Sequence, residues 1–269
     1  ELAALRWLDH DEPAPTGYLA RDTRTSISMG LVSLVFMTIF KVGSFVVYMG
    51  VFLHLAPFHL PTDTWWYWAL VVIAVDLGFY GAHRFVHRVN VGWAAHQAHH
   101  SSEYFNFATA LRQKWNPWFE FFFWLPLPFL GFSPWTIYVA FGFSLVFQFF
   151  VHTETIAKLP RPIEFVFNTP SHHRVHHASN PEYLDRNYGG ILIVWDRLFG
   201  TFEPEGERVR YGLTRNIGTF NPVRAAFHEY IAMWHDMKRA RRFRDKLGVV
   251  FRGPGWTPPG VTESEATRG

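Results

Sequence analysis

Four apolar stretches alternate with polar ones along the chain. Residues 27–55 are apolar apart from Lys41, and residues 65–82 form a second run. Residues 117–132 and 134–151 form a third and a fourth. A bilayer core takes about 20 helical residues, with a range of roughly 17–25. The first run exceeds that length, and the second and fourth just reach it. The third is short and carries Pro126 and Pro128, which predicts a kink or partial insertion. Pro117-Trp118 and Pro134-Trp135 read as helix starts with an interfacial aromatic residue. Lys41 is read as belonging to a shifted span from which its side chain reaches outward; the alternative is a buried polar partner such as Asp76. The pattern predicts an all-α integral membrane bundle of about four transmembrane helices, built as one domain over residues 1–256. A cytoplasmic helical cap is expected from residues 83–115 and 152–256, with 257–269 as a disordered tail.

The polar stretches orient the bundle. Apart from Lys41, every Lys and Arg lies before the first run, between the second and third, or after the fourth. Lys and Arg concentrate on the cytoplasmic side of membrane proteins, so both termini and residues 83–115 are expected there. The membrane is expected to be the inner membrane of a bacterium, or the endoplasmic reticulum in a eukaryote. Composition agrees: 49% of residues are hydrophobic, 19% aromatic and only 17% charged, against about a quarter charged in soluble domains. The absence of cysteine excludes disulfides, thiolate metal sites, iron–sulfur ligation by the chain and a cysteine nucleophile. A formal net charge of +3 gives nucleic-acid binding no support. Residues 1–24 are polar and do not read as a signal peptide.

Histidine changes the picture most. Ten of the 15 histidines fall in four groups, each at the end of an apolar segment: His83 and His87; His96, His99 and His100; His152; and His172, His173, His176 and His177. A spacing of four puts His83 and His87 on one helix face. Asp76 and Tyr80 continue that face upward, where an acid can accept the other ring N–H of a ligand. His99 and His100 project about 100° apart on a helix, so they can serve different ions. His173, His176 and His177 repeat the arrangement. Neutral imidazole binds Zn, Cu, Fe and Ni alike. A structural zinc needs four ligands, and about nine are on offer, which fits two ions. Glu103 and Glu154 could supplement them but read equally well as ordinary interfacial acids. His10, His54, His59, His228 and His235 read as unrelated to the clusters.

These motifs resemble the fatty acid hydroxylase superfamily, the membrane diiron group that includes sterol desaturases. The specific stretches are Asn168-Thr-Pro-Ser-His-His-Arg-Val-His-His177, Asp185-Arg-Asn-Tyr-Gly-Gly190, Trp195-Asp-Arg-Leu-Phe-Gly-Thr-Phe202 and Pro254-Gly-Trp256. They look most like the bacterial sterol-desaturase-like and alkylglycerol monooxygenase branch, over about residues 76–256. The resemblance implies metal ligands at His83, His87, His96, His99, His100, His152, His173, His176 and His177, with His172 as a tenth. It implies two iron ions and O2 as cofactors, although zinc or another metal can occupy such nitrogens. The implied reaction is hydroxylation or desaturation of an unactivated C–H bond in a membrane lipid, whether sterol, fatty acyl or ether lipid. With no fused haem domain in sight, electrons are expected from a separate donor: a reductase with a small haem or iron–sulfur protein, or a pterin.

Asp185, Asn187 and Asp196 are read as loop-fixing groups beside the last histidines, with simple turn chemistry as the alternative. Residues 222–246 read as a helix with an apolar stripe and a basic end, of the kind that lies on an anionic membrane face. Two other functions remain open. A metal-binding or metal-transport protein would carry ligands within its spans, whereas here they sit at the ends. A membrane zinc hydrolase would need fewer ligands and a positioned acid.

Overall fold

The computed structural model describes residues 1–7, 15–117 and 119–260. Its helices are α1 (Leu2–Trp7), α2 (Ala20–His54), α3 (Trp65–Arg88), α4 (Asn90–His100), α5 (Phe107–Ala110), α6 (Pro126–Phe129), α7 (Pro134–Val151), α8 (Arg161–Val166), α9 (Pro170–His176), α10 (Val194–Phe199), α11 (Pro222–Arg239) and α12 (Phe243–Phe251). The all-α fold expected from the sequence is the one that forms. Among the described residues there is no strand, only isolated bridges at Phe167–Leu192 and Ala178–Tyr211. His10, Trp118 and residues 261–269 of the expected tail lie outside the described residues.

Three helices, α2, α3 and α7, are long and apolar enough to cross a membrane. At 1.5 Å per residue, the 35 residues of α2 reach roughly 52 Å, beyond the roughly 30 Å of a hydrocarbon core. Its outer face exposes Leu31, Leu34, Val35, Ile39 and Val42. A helix that is apolar all round fits lipid contact rather than water. Its first turns join the cap instead: Asp22, Thr25 and Ser26 are buried, and Thr25 Oγ1 donates to the Phe220 carbonyl at 2.6 Å. On α3, Tyr67, Val71 and Val75 recur every four residues. They form a core with Trp124, Ile137 and Ala140.

The third apolar run, 117–132, does not form the expected fourth spanning helix. It is broken into a 3-10 turn (Glu120–Phe123) and the single turn of α6. Prolines 126 and 128 are the cause, since proline within a helix removes a backbone donor and clashes with the preceding turn. The segment still packs alongside α2. Trp115 Nε1 donates to the Met29 carbonyl, while Leu60 N donates to the Gly131 carbonyl at the opposite end. Irregular backbone at membrane depth is tolerated where protein covers it. Here Tyr48 Oη donates to the Phe121 carbonyl at 2.6 Å, and Trp124 Nε1 to the Val75 carbonyl at 3.0 Å. Lys41 lies 5.4 Å from the centre of the Phe141 ring. The Asp76 carboxylate is occupied elsewhere, as described next.

Candidate metal centre

Each histidine group arrives on its own element. The last turns of α3 carry His83 and His87, one turn apart. A break at Val89 reverses the chain into α4, which brings in His96, His99 and His100. His152 follows the last residue of α7. On α9, which starts at Pro170 behind the Thr169 cap, His173 and His176 lie one turn apart, with His177 just after.

The nine side chains converge into two sets. His83, His87, His96, His100 and His176 form one; His99, His152, His173 and His177 form the other. Within each set, one nitrogen from every ring lies within 4.8 Å of the rest, and all nine rings are buried. The consecutive pairs His99–His100 and His176–His177 each send one ring to each set, as their helical separation predicts.

The donor atoms fit metal ions. His83 Nε2 lies 3.1 Å from His96 Nε2, which lies 3.1 Å from His100 Nε2. In the other set His152 Nε2 lies 3.0 Å from His173 Nε2 and 3.4 Å from His99 Nε2. Two nitrogens held about 2.0–2.1 Å from one ion stand roughly 2.9–3.4 Å apart, depending on the angle between them. The Nε2 atoms of His87, His176 and His177 are buried without a hydrogen-bond partner. A buried polar atom left so is costly unless something binds it.

Backbone carbonyls set the tautomers. His83 Nδ1 donates to the Tyr188 carbonyl at 2.9 Å, His99 Nδ1 to that of Arg112 at 3.1 Å, His152 Nδ1 to that of Gln148 at 2.6 Å, and His176 Nδ1 to that of Arg186 at 3.1 Å. A carbonyl only accepts, so the proton sits on Nδ1 and the Nε2 lone pair is left for a metal. Burial, and next the neighbouring imidazoles, push His96, His99, His100, His173 and His177 well below the ordinary histidine range. Burial takes His152 and His176 down to about 4. At neutral pH these rings are uncharged, which is the ligating form.

His172 is the sequence candidate that joins neither set. Its Nε2 lies 2.9 Å from a Glu164 oxygen, and its Nδ1 lies 3.2 Å from the Phe167 carbonyl. Both nitrogens are thereby turned to neighbours outside the sets. We expect His172→Gln to keep the full metal content of the purified protein by elemental analysis; loss of an ion would place His172 among the ligands.

Asp76 acts differently from the sequence expectation. Asp76 accepts from Ile191 N at 2.7 Å, Leu192 N at 3.0 Å and Trp195 Nε1 at 2.9 Å, not from a histidine. Asp196 accepts from Tyr188 N, Gly189 N and Thr201 Oγ1 at 2.7–2.8 Å. Together the two carboxylates fix the 188–192 turn, whose Tyr188 carbonyl holds His83. Tyr80 Oη bonds Thr201 Oγ1 at 2.9 Å. Asp185 and Asn187 take left-handed backbone, φ 61° and 56°. Asp185 pairs with Arg88 at the surface, while Asn187 Nδ2 donates to the His172 and Glu203 carbonyls. Gly190 is required by contact: a Cβ there would stand 2.7 Å from Asp76 Oδ1 and 2.8 Å from Phe79. Gly190→Ala is therefore expected to destabilise the fold by about 1–3 kcal/mol, read as a lowered midpoint in thermal unfolding.

Several contributors were not visible in the sequence. Arg112 is buried against Asp22 at 2.5 Å while its carbonyl orients His99. Glu164 occupies His172. A cavity of about 540 Å³ reaches His87, His100 and His176 and is also lined by Trp93, Gln97 and Glu229. His228, set aside in the sequence, lines it too. Glu103 and Glu154 join neither set; Glu154 accepts from Thr16 and from Tyr211 Oη.

Comparison with known proteins follows the same residues. Residues 68–201, from the first turn of α3 through α10, match the fatty acid hydroxylase family. The chain belongs to that family. It is 43% identical over 255 residues to alkylglycerol monooxygenase of Danio rerio, covering 94% of this chain and 56% of that protein. It is 44% identical over 242 residues to alkylglycerol monooxygenase of Homo sapiens, covering 88% of this chain and 53% of that protein. A more distant relative is the ornithine lipid hydroxylase OlsE of Rhizobium tropici, 28% identical over 163 residues, covering 55% of this chain and 46% of that protein. The chain thus spans about half the length of these curated relatives. No solved structure matches it.

Proposed function

We propose that this protein is a membrane-bound, iron-dependent monooxygenase that hydroxylates a C–H bond of an ether lipid, with the nine imidazoles holding two iron ions. One observation carries the reading: nine buried histidines divide into two adjacent sets, with no carboxylate in either among the described residues. The family match and the alkylglycerol monooxygenase relatives narrow it to a lipid and favour an ether. Iron bound there would supply O2 activation and hydrogen abstraction, which protein side chains alone cannot.

The reaction is balanced by two electrons and two protons: one oxygen atom enters the C–H bond and the other leaves as water. At the carbon beside an ether oxygen the product is a hemiacetal, which falls apart to an aldehyde and an alcohol. The chain's own residues supply the setting. Carbonyls of Arg112, Gln148, Arg186 and Tyr188 hold four rings in the ligating tautomer. Burial keeps the rings uncharged and shields the reacting carbon from bulk water. The cavity at His87, His100 and His176 admits a molecule to the first set. The electrons come from a donor such as a reductase with a small haem or iron–sulfur protein, or a reduced pterin. Lys and Arg placement favours the cytoplasmic side for the histidines, where such donors are found.

The test is metal content together with lipid-dependent O2 uptake. Purified protein should contain two irons per chain and consume O2 with a reductant when an alkylglycerol is added, releasing aldehyde. One tightly held zinc, with no uptake on any lipid, would overturn the proposal in favour of a zinc hydrolase.

A further inference from the structure

We propose that α11 and α12 form a skirt lying on the anionic surface of the same membrane that α2, α3 and α7 cross. The membrane-lying α11 then separates the leaflet from the cavity at the first histidine set. This goes beyond the catalytic proposal and does not depend on which metal is bound.

Four observations carry it. First, α11 exposes Val223, Phe227, Ile231 and Trp234, at steps of four, four and three, which is one helix face. Its other face buries Ala225, Ala226, Glu229, Ala232, Met233 and Asp236. Second, α12 repeats the pattern with Phe243, Leu247 and Phe251, each four apart and exposed, while Gly248 and Val249 are buried. Two successive helices thus leave their apolar faces uncovered. Scattered exposed apolar residues are ordinary, but aligned stripes on neighbouring helices are not.

Third, the stripe is continuous with the exposed apolar face of α2, a helix long and apolar enough to cross a membrane. Phe227 packs against Trp115 with ring centres 6.0 Å apart, and Trp115 stacks on Phe36 at 6.3 Å. Phe36 belongs to the exposed face of α2. An apolar face that begins on a spanning helix and turns onto α11 follows the boundary between hydrocarbon and headgroups. Fourth, the join between α11 and α12 is strongly basic: Lys238, Arg239, Arg241, Arg242, Arg244 and Lys246 are all exposed. The Lys238 ammonium lies 5.1 Å from the Trp234 ring centre, an aromatic and cation pairing suited to headgroup level. Apolar stripes with adjacent cations bind anionic leaflets. A second copy of this chain would need acidic complement for those six cations, and the stripe offers none.

The geometry joins the skirt to the site. The buried face of α11 packs on α4, the helix of His96, His99 and His100. Glu229 and His228 of α11 line the cavity that reaches His87, His100 and His176. A lipid leaving the leaflet beside α11 would meet that wall first.

The chain holds no cysteine, so single-cysteine labelling tests this directly in this chain. Phe227→Cys, Ile231→Cys and Phe243→Cys would carry an environment-sensitive fluorophore, with Glu207→Cys on the cap as the aqueous reference. The protein would be reconstituted in equal parts phosphatidylglycerol and phosphatidylcholine. Quenching by lipid-borne nitroxide, relative to aqueous iodide, should be several-fold higher at 227, 231 and 243 than at 207. In phosphatidylcholine alone, or with Arg241→Glu, Arg242→Glu and Arg244→Glu combined, the ratio at 243 should fall towards the reference. Iodide quenching at 227, 231 and 243 equal to that at 207 would overturn the proposal. So would shielding that lipid nitroxide does not reach and that vanishes on diluting protein in lipid, because a second copy would then be the cover. An unchanged ratio at 243 after charge reversal would overturn the anionic preference.

Discussion

His99→Ala should abolish lipid-dependent O2 uptake, whereas His59→Ala should leave it near the parent value. His99 sits at the junction of the two sets: its ring centre lies 4.6 Å from that of His177 and 5.3 Å from that of His100. Its Nδ1 is held by the Arg112 carbonyl, so its Nε2 has one direction available. Removing a partner that only orients a ligand costs about 10–100-fold in affinity or activity. Removing the ligand itself should exceed that, because the second set would fall from four nitrogens to three. Metal content should drop from two ions per chain towards one. His59 is the fitting control. Its ring stacks on Phe52 and its Nε2 meets the Phe52 carbonyl, at the end of the bundle where Leu60 meets Gly131. A change there should stay within about 0.5 kcal/mol in stability. Equal losses in the two variants would show that histidine loss acts through folding and that the proposed ligands are wrong.

The contrast between His99 and His172 shows what the sequence could and could not disclose. Spacing put His83 and His87 on one helix face. It also foretold that adjacent histidines would part, because 100° of rotation between consecutive residues is a property of the helix and needs no partner. His172 lies one turn from His176 and was indistinguishable on spacing. What removed it was Glu164, eight residues earlier and on another helix, whose carboxylate meets its Nε2. Asp76 failed for a related reason. Its position on the histidine face was right, but a backbone turn 115 residues away takes both its oxygens. Burial of an acid is legible from an apolar context, whereas its partner belongs to tertiary structure. The membrane segments divide the same way. Length and hydropathy found α2, α3 and α7. The prolines that shortened the third run also broke it, so a stretch that hydropathy reads as a weak helix is built from short turns, with Tyr48 donating to its Phe121 carbonyl.

The carboxylate of Asp196 should matter nearly as much as a ligand, although it touches none. It accepts three hydrogen bonds, from Tyr188 N at 2.8 Å, Gly189 N at 2.7 Å and Thr201 Oγ1 at 2.7 Å, and the residue is fully buried. Asp196→Ala leaves all three donors stranded away from water. A buried donor without a partner costs about 1–3 kcal/mol, so the expected loss is about 3–5 kcal/mol after partial relaxation. Asp196→Asn keeps the shape and one acceptor oxygen but turns an amide against one of the donors, for an expected loss of about 1–2 kcal/mol. The consequence reaches the metal centre through the backbone. Tyr188 N is fixed by Asp196, and the Tyr188 carbonyl on the same residue fixes His83 Nδ1. Once the turn loosens, His83 loses the contact that keeps its proton on Nδ1, and the first set should bind its metal about 10–100-fold more weakly. Chemical unfolding would measure the first effect, and metal titration of the folded protein at a temperature where the variant is still native would measure the second. If Asp196→Asn unfolds like the parent and binds metal like the parent while Asp196→Ala fails only in stability, the acid is a packing element and the link through Tyr188 is refuted. If Asp196→Asn folds normally but releases metal more readily, the turn held by Asp196 positions the ligand.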